Sequence, residues 1–244
     1  MRPQISIIVP VLDESARLRR FLEHLRRRAV FAEIIVVDVA GSQSVPNSAT
    51  ELCDRVLTAR RGRAAQMNAG AAVASGGVFW FVHVDCEVPR GCLDQIAHTL
   101  QDRQIVAGCF RIRFPRRELI YRVGDAGGNL AVELFGRCYG DHGIFCRRGD
   151  FFAVGGYPEI PLLEDAEFYR RLRRRGRTRQ LRSKIITSPR RYEEIGSYRL
   201  TASYLLLSTL YLLRVPIPTL ARIYNLLCLC QNEPPHPEPS PERE

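Results

Sequence analysis

The sequence predicts an α/β protein whose mostly parallel sheet is covered by helices on both faces. Three continuous apolar runs support this prediction: ISIIV at 5–9, EIIVVD at 33–38 and VFWFVHV at 78–84. A helical pattern stands between each run and the next. Strands buried on both sides are typical of parallel sheets, because the connecting helices cover both faces. A chain of 244 residues is long enough for one such domain with an appendage.

The first half alternates strands and helices in order. The first strand stops at Pro10, and Ser15 is expected to cap a helix that runs to about Arg28. The second strand ends at Asp38 and is followed by a loop of Gly, Ser, Pro and Asn. A helix over 48–53, a short strand over 55–59 and an alanine-rich helix over 62–74 lead to the third apolar run.

The second half is less regular. A strand over 106–114 is expected, with an antiparallel partner near 143–148, and the glycine-rich segment between them is read as irregular or partly helical. A helix over 164–175 ends at Gly176, and a strand with a turn follows. We therefore expect a catalytic-type domain over 1–195, apolar C-terminal helices over 196–232 and a disordered tail of Pro and Glu over 233–244.

Charge and cysteine usage narrow the class of protein. The net charge is +10, and Lys184 is the only lysine, so the basic residues are almost all arginine. Such an excess suits phosphate-bearing or anionic lipid partners. Without zinc-ligand spacing or an aromatic ribonucleoprotein motif, no nucleic-acid partner is expected. The eight cysteines stand mostly singly in apolar segments, and no signal peptide is recognised, which predicts free thiols and the cytoplasm, with the inner face of the membrane as a second location.

Acidic residues follow the predicted strands. Asp85 and Glu87 come directly after the third apolar run, one residue apart, and two such carboxylates repel each other unless a cation or another positive group lies beside them. Asp38 and the segment 10–14 follow the other two strands. Ligands of open α/β sheets bind beyond the carboxyl ends of the strands, so these acids are expected to share one crevice. The alternative is a set of solvated acids at strand ends.

Six segments, taken in order, resemble one family. IIVPVLDE, VVD, GRAAQMNAGA, FVHVDCEVP, GDHGIFCRR and GGYPEIPLLEDAEFYRRLRRRG are similar to the motifs of family 2 glycosyltransferases of the GT-A fold, in particular short single-domain bacterial members. The resemblance spans roughly 5–192. It implies a GT-A type, Rossmann-like sheet flanked by helices, and a metal-dependent inverting transfer of a sugar from a nucleoside-diphosphate sugar to an unknown hydroxyl acceptor.

The resemblance also implies a role for each matching residue. The donor is expected to contact Pro10, Glu14, Asp38, Arg63 and Asp85. Mn²⁺ or Mg²⁺ is expected on Asp85 and Glu87, since both offer only oxygen ligands. Asp141 and His142 are expected near the acceptor, although glutamine is commoner than histidine at 142.

The catalytic base is expected to be Asp165, with Glu164 as the fallback. The alternative for this pair is a set of helix N-terminal acids that offset the dipole. Two departures lie at the nucleotide end: Asp13 replaces a usual asparagine, and Ser44 stands where a second acid is usual. The donor base, uridine or guanosine, therefore stays open.

Two other functions are alternatives to glycosyl transfer. A sugar-phosphate nucleotidyltransferase needs a glycine-rich, basic loop after the first strand, and PVLDESARL has none. A non-catalytic basic module would bind membrane or nucleic acid through its arginines. The segment 200–213 would span only about 21 Å as a helix, against about 30 Å for a bilayer core. It is expected either to lie in a membrane interface near a lipid-linked acceptor or to pack on the catalytic domain.

Overall fold

The computed structural model of the chain describes residues 4–12, 14–42 and 44–228. Asp13 and the tail predicted at 233–244 lie outside this part. The strands are β1 Ile5–Pro10, β2 Glu33–Val39, β3 Arg55–Ala59, β4 Val78–Phe81, β5 Cys86–Glu87, β6 Ile105–Arg113, β7 Phe145–Arg147 and β8 Arg177–Thr187. The helices are α1 Ser15–Arg28, α2 Asn47–Thr50, α3 Arg63–Val73, α4 Cys92–Thr99, α5 Leu119–Phe135, α6 Arg148–Ala153, α7 Glu164–Arg175, α8 Arg190–Ile195, α9 Ser197–Leu212 and α10 Ile217–Cys228, with a 3₁₀ turn at Gly140–His142.

The strands form one sheet in the order β3-β2-β1-β4-β7-β6-β8-β5. The pairs β1–β2, β1–β4, β2–β3 and β6–β8 are parallel, whereas β7 runs antiparallel to both β4 and β6, and β5 antiparallel to β8. The predicted mostly parallel α/β sheet is therefore confirmed. The expected antiparallel pairing of 143–148 with the preceding strand is confirmed as well.

The core lies on both faces of this sheet. Alternate residues of β1 point to opposite faces, so Ile7 and Val9 share one apolar cluster with the buried side of α1, while Ile8 joins the other cluster with α3 and α7. The first cluster buries the α1 residues Leu18, Phe21, Leu22 and Leu25. Burial on both faces explains why the strands read as unbroken apolar runs rather than alternating ones.

Several sequence expectations need correction. Ser15 is the first helical residue rather than the cap, and Glu14 precedes α1 without a side-chain capping bond. The helix expected over 48–53 is only the four-residue α2. The strand expected over 78–84 ends at Phe81, and Cys86–Glu87 form a separate strand.

The glycine-rich segment contains a helix of 17 residues, α5, which the sequence predicted only in part. Gly128 allows a close approach to β6, because a Cβ there would lie 2.9 Å from Ile112 Cδ1. Asn129 then hydrogen-bonds to both backbone groups of Ile112, at 2.9 and 3.0 Å. Contacts with β6 therefore stabilise a helix that local propensity disfavours.

The chain divides into two compact units, 1–190 and 191–244. In the second unit, α9 and α10 are separated at Pro216, and Pro218 lies in the first turn of α10, where proline is tolerated. None of the helices within the described residues has the length and apolarity needed to cross a membrane. The seven cysteines within 44–228 are free thiols.

Candidate active site

Asp38 stands near the carboxyl end of β2 and is 4% exposed. Its Oδ1 accepts hydrogen bonds from the Val39 amide at 2.8 Å and from the Ser42 hydroxyl, and its Oδ2 accepts one from the Ser44 amide at 2.8 Å. These bonds hold the loop that follows β2. Oδ2 has a second lone pair that can accept a hydrogen bond. The expected contact of Asp38 with the nucleotide sugar therefore stays a prediction.

Glu14 follows the end of β1 and lies near three charged residues. Its Oε1 is 3.3 Å from Arg190 Nη2, and its buried Oε2 is 3.7 Å from Arg17 Nη1. Burial raises the pKa of Glu14; Arg190 opposes this effect, and the negative charge of Asp85 adds to it. The ends of β1 and β4 therefore bring two carboxylates close together, as the sequence predicted.

The two acids after β4 occupy different environments. Asp85 is half-buried in the turn between β4 and β5, and its carbonyl accepts a hydrogen bond from the Ser188 amide at 3.1 Å. Glu87 lies on β5, paired with Ile186 of β8, and is exposed. The two acids therefore differ in burial and in the element that carries them.

Arg63, the first residue of α3, is the point at which the acidic residues converge. Its Nη1 lies 3.9 Å from Glu164 Oε1, although its side chain is 55% exposed. Partial burial lowers the pKa of this guanidinium, but the negative charges of Glu164, Asp165, Asp141 and Asp85 outweigh that effect and raise it. Besides its contact with Glu164, Arg63 thus lies within electrostatic reach of carboxylates from three separate segments.

Glu164 and Asp165 begin α7 and are both buried. Leu163, just before them, has a φ of 65°, in the left-handed region that costs a branched residue about 1–2 kcal/mol. Asp165 accepts a hydrogen bond from the Gly140 amide, yet its Oδ1 has no hydrogen-bond partner in the described part of the chain. Burial raises the pKa of Asp165 well above its usual value; Glu164 raises it further, and Arg63 lowers it.

Gly140 lies between Asp165 and a residue that the sequence analysis did not assign to the site. A Cβ at position 140 would be 2.4 Å from His83 Nε2 and 2.8 Å from Asp165 Oδ2, so only glycine fits. The Nε2 of His83 is buried and unpartnered among the described residues. Burial and the positive charge of Arg63 lower the pKa of His83, which favours the neutral imidazole. In the sequence, the one indication that His83 belongs to the site is its position two residues before Asp85.

The two residues expected near the acceptor, Asp141 and His142, differ in burial. Asp141 is partly exposed and contributes to the electrostatics at Arg63. His142 has no exposed surface, and its Nδ1 lies 2.9 Å from the Phe110 carbonyl oxygen. In this structure His142 faces the protein interior, so it is not placed to contact an acceptor. The expected contact of Asp141 with the acceptor stays a prediction.

Solved structures with a similar fold include glycosyltransferases. A mannosyltransferase from Pyrobaculum calidifontis, in complex with GDP-Man and Mn²⁺, has a TM-score of 0.70 and 18% identity over 92% of this chain and 70% of that chain. Residues 1–349 of TarS from S. aureus score 0.60 at 14% identity, covering 81% of this chain and 64% of theirs. The same segment with UDP-GlcNAc scores 0.58, also at 14% identity, over 81% of this chain and 65% of that one. The chain thus spans less than two thirds of the TarS segment.

The predicted GT-A type fold agrees with these neighbours, and at such identities the likeness concerns the fold alone. No protein with a curated function matches the sequence significantly. The family model described as "Glycosyl transferase family 2" matches residues 6–154, which is more than half of the chain. The resemblance found in the sequence motifs is therefore confirmed. This chain belongs to glycosyl transferase family 2 and is a glycosyltransferase.

Proposed function

We propose that the enzyme transfers a sugar from a nucleoside-diphosphate sugar to a hydroxyl acceptor, with inversion and with the help of a divalent cation. The observation that carries this proposal is the convergence of acidic residues on Arg63, where Asp165 keeps a buried oxygen without a hydrogen bond. Family membership leaves neither the nucleotidyltransferase nor the non-catalytic basic module with comparable support.

The donor end is formed where β1, β2 and α3 meet. Pro10, Glu14 and Asp38 would contact the base and ribose. Arg63 would contact the diphosphate, because a guanidinium at the start of an eleven-residue helix joins its charge to the helix dipole. Solved neighbours contain GDP-Man and UDP-GlcNAc, which supports a nucleotide-sugar donor and leaves the base open.

The residues beside Asp85 suit a hard cation. Asp85 offers carboxylate oxygens, and its negative charge acts on the nearby Glu14, whose carboxylate is already ion-paired with Arg17 and Arg190. Mg²⁺ and Mn²⁺ prefer such oxygen ligands and retain several waters, so Glu87 would contribute through water from its exposed position. When bound, the cation would stabilise the negative charge of the departing nucleoside diphosphate.

Asp165 would accept the proton of the acceptor hydroxyl. As the hydroxyl oxygen bonds to the anomeric carbon, the bond from that carbon to the diphosphate oxygen breaks and the proton passes to the unpartnered Oδ1. Attack opposite the leaving group inverts the configuration. A raised pKa makes Asp165 a stronger base once it is ionised, and Arg63 favours the ionised form. Glu164 is the fallback for this role.

We also propose that the C-terminal helices contact anionic membrane and bring the enzyme to a lipid-linked acceptor. In α9, the exposed side chains Tyr198, Leu205 and Leu212 recur every seven residues, and Leu206 and Leu213 extend this stripe. Arg199 and Arg214 stand at its two ends. Liposomes containing anionic lipid should carry the protein upward in a density gradient. A protein that never floats would favour packing of the stripe on protein.

A donor screen tests the proposed reaction. The chain is incubated with UDP- and GDP-sugars and Mn²⁺, and the released nucleoside diphosphate is measured. We expect release with sugars of one base, loss of release with excess chelator, and opposite anomeric configurations in donor and product by NMR. Asp165→Asn is the matched inactive control. An absence of turnover with every donor, with or without metal, would contradict the proposal.

A further inference from the structure

Three side chains that commonly bind metals form a cluster outside the site described above. Cys109 lies on β6, Cys138 follows α5, and His142 belongs to the 3₁₀ turn; all three are buried. Their two sulfur atoms and one imidazole nitrogen lie within 4.8 Å of one another. Within residues 4–12, 14–42 and 44–228, no other group of His, Cys, Asp or Glu is spaced in this way.

The hydrogen bonding of His142 leaves a ring nitrogen available. A carbonyl oxygen can only accept, so the contact of 2.9 Å with Phe110 requires that Nδ1 carries the hydrogen. Nε2 then has the lone pair, and it is buried with no hydrogen-bond partner among the described residues. Metal-binding histidines are held in this way, with one nitrogen donating to a backbone carbonyl and the other free to coordinate.

We propose that Cys109, Cys138 and His142 bind one Zn²⁺ ion. Thiolate and imidazole are the ligands that zinc prefers, at about 2.3 Å for sulfur, which separates ligand atoms by roughly 3.8 Å in a tetrahedral site. The observed limit of 4.8 Å requires a contraction of about 1 Å at most. Two thiolates balance the charge of the ion, and their protons are released to solvent on binding. Water or the Tyr169 hydroxyl, 3.9 Å from Cys109 Sγ, would complete the coordination.

The ion would fix the segment that supports Asp165. Cys138 and His142 flank Gly140, whose amide donates to the Asp165 carboxylate, and Cys109 belongs to the sheet. Zinc would thus attach this turn to β6 without contacting substrate. The inference concerns a sulfur and nitrogen site separate from the oxygen ligands near Asp85, so it stands or falls independently of the proposed reaction.

The test measures zinc on the purified chain. Protein freed of metal under reducing conditions is titrated with Zn²⁺ against a chromophoric chelator, in excess Mg²⁺ so that oxygen sites are occupied. The variants are Cys138→Ala and His142→Gln. The matched control is Cys146→Ala, because Cys146 is equally buried in the same apolar cluster but has no place among the three ligands.

We expect one Zn²⁺ per chain for the wild type and for Cys146→Ala, and an affinity at least about tenfold weaker for both ligand variants. Zinc should also raise the melting temperature of the wild type. Since a ligand variant can fail to fold, Co²⁺ is added to the wild type as well, where a thiolate charge-transfer band is expected. A wild type that binds no zinc and shows no such band would overturn the proposal. Unchanged affinity in folded ligand variants also overturns it.

Discussion

Asp38 and Asp165 are buried to almost the same extent, at 4% and 5% exposure, but their carboxylates differ in the hydrogen bonds that they accept. The end of β2 and the loop after it supply Asp38 with two amides and a hydroxyl. Asp165 receives one amide and keeps an oxygen without a partner among the described residues. The first carboxylate holds a loop, whereas burial raises the pKa of the second. Burial alone therefore does not distinguish the two acids, and the difference lies in their hydrogen-bond partners.

The largest expected effect comes from replacing the acid with the unpartnered oxygen. Asp165→Asn should lower the rate of transfer by about 10²–10⁴, or roughly 3–5 kcal/mol of barrier, because the general base is lost. Donor binding should be unchanged, and Glu164→Gln should be milder. Initial rates at saturating donor, with calorimetry of donor binding, check both statements. The reverse ranking would make Glu164 the base, and two active variants would place the base elsewhere.

Replacing Asp85 tests whether binding of the nucleoside diphosphate depends on a divalent cation. Nucleoside-diphosphate binding by the wild type and by Asp165→Asn should weaken at least about tenfold when chelator is added, since the proposed metal would link Asp85 to the diphosphate. Asp85→Asn should bind weakly with or without chelator. Calorimetry measures all three proteins. Equal wild-type affinity in both conditions would exclude the proposed metal role.

Stability should change in opposite directions at the two aspartates. In Asp38→Asn, the side-chain NH2 group would face N–H and O–H groups that now donate to the carboxylate. This loss of hydrogen bonds should lower the free energy of unfolding by about 1–3 kcal/mol. Asp165→Asn should stabilise the protein at neutral and higher pH. Because the folded pKa of Asp165 is raised, its contribution to stability is complete below the unfolded pKa, near 4, and is lost as pH rises through the folded pKa. Thermal melts over a pH series should show the gain of Asp165→Asn vanish in acid; a gain independent of pH would refute this origin.

The smallest effects concern the pH at which transfer begins. Protonated Asp165 cannot act as a base, so kcat should rise with pH through its raised pKa. Glu164→Gln removes a neighbouring negative charge and should move this rise to lower pH, whereas Arg63→Gln should move it to higher pH. Rates at saturating donor give the midpoints independently of weakened donor binding. Shifts of the same sign in both variants would be inconsistent with Asp165 as the titrating group.

Much of the fold follows from local pattern, while the site depends on tertiary contacts. The bounds of α1, β3 and α7 follow from apolar periodicity and charged ends, and the acids at strand ends follow from the rule for parallel sheets. The full length of α5 was underestimated because its stability comes from the contacts of Gly128 and Asn129 with β6.

At the site, no local pattern could predict an unpartnered oxygen on Asp165 or the position of His83 beside Gly140. Both facts depend on distances between segments far apart in sequence. The same holds for Arg63, whose contact is with Glu164, 101 positions further along the chain.

The left-handed backbone of Leu163 limits how the start of α7 could be redesigned. Asparagine adopts this conformation at less cost than leucine, but Leu163→Asn would also remove a half-buried apolar side chain. Because Leu163 directly precedes Glu164 and Asp165, a substitution that relaxes the backbone there would act on both acids as well.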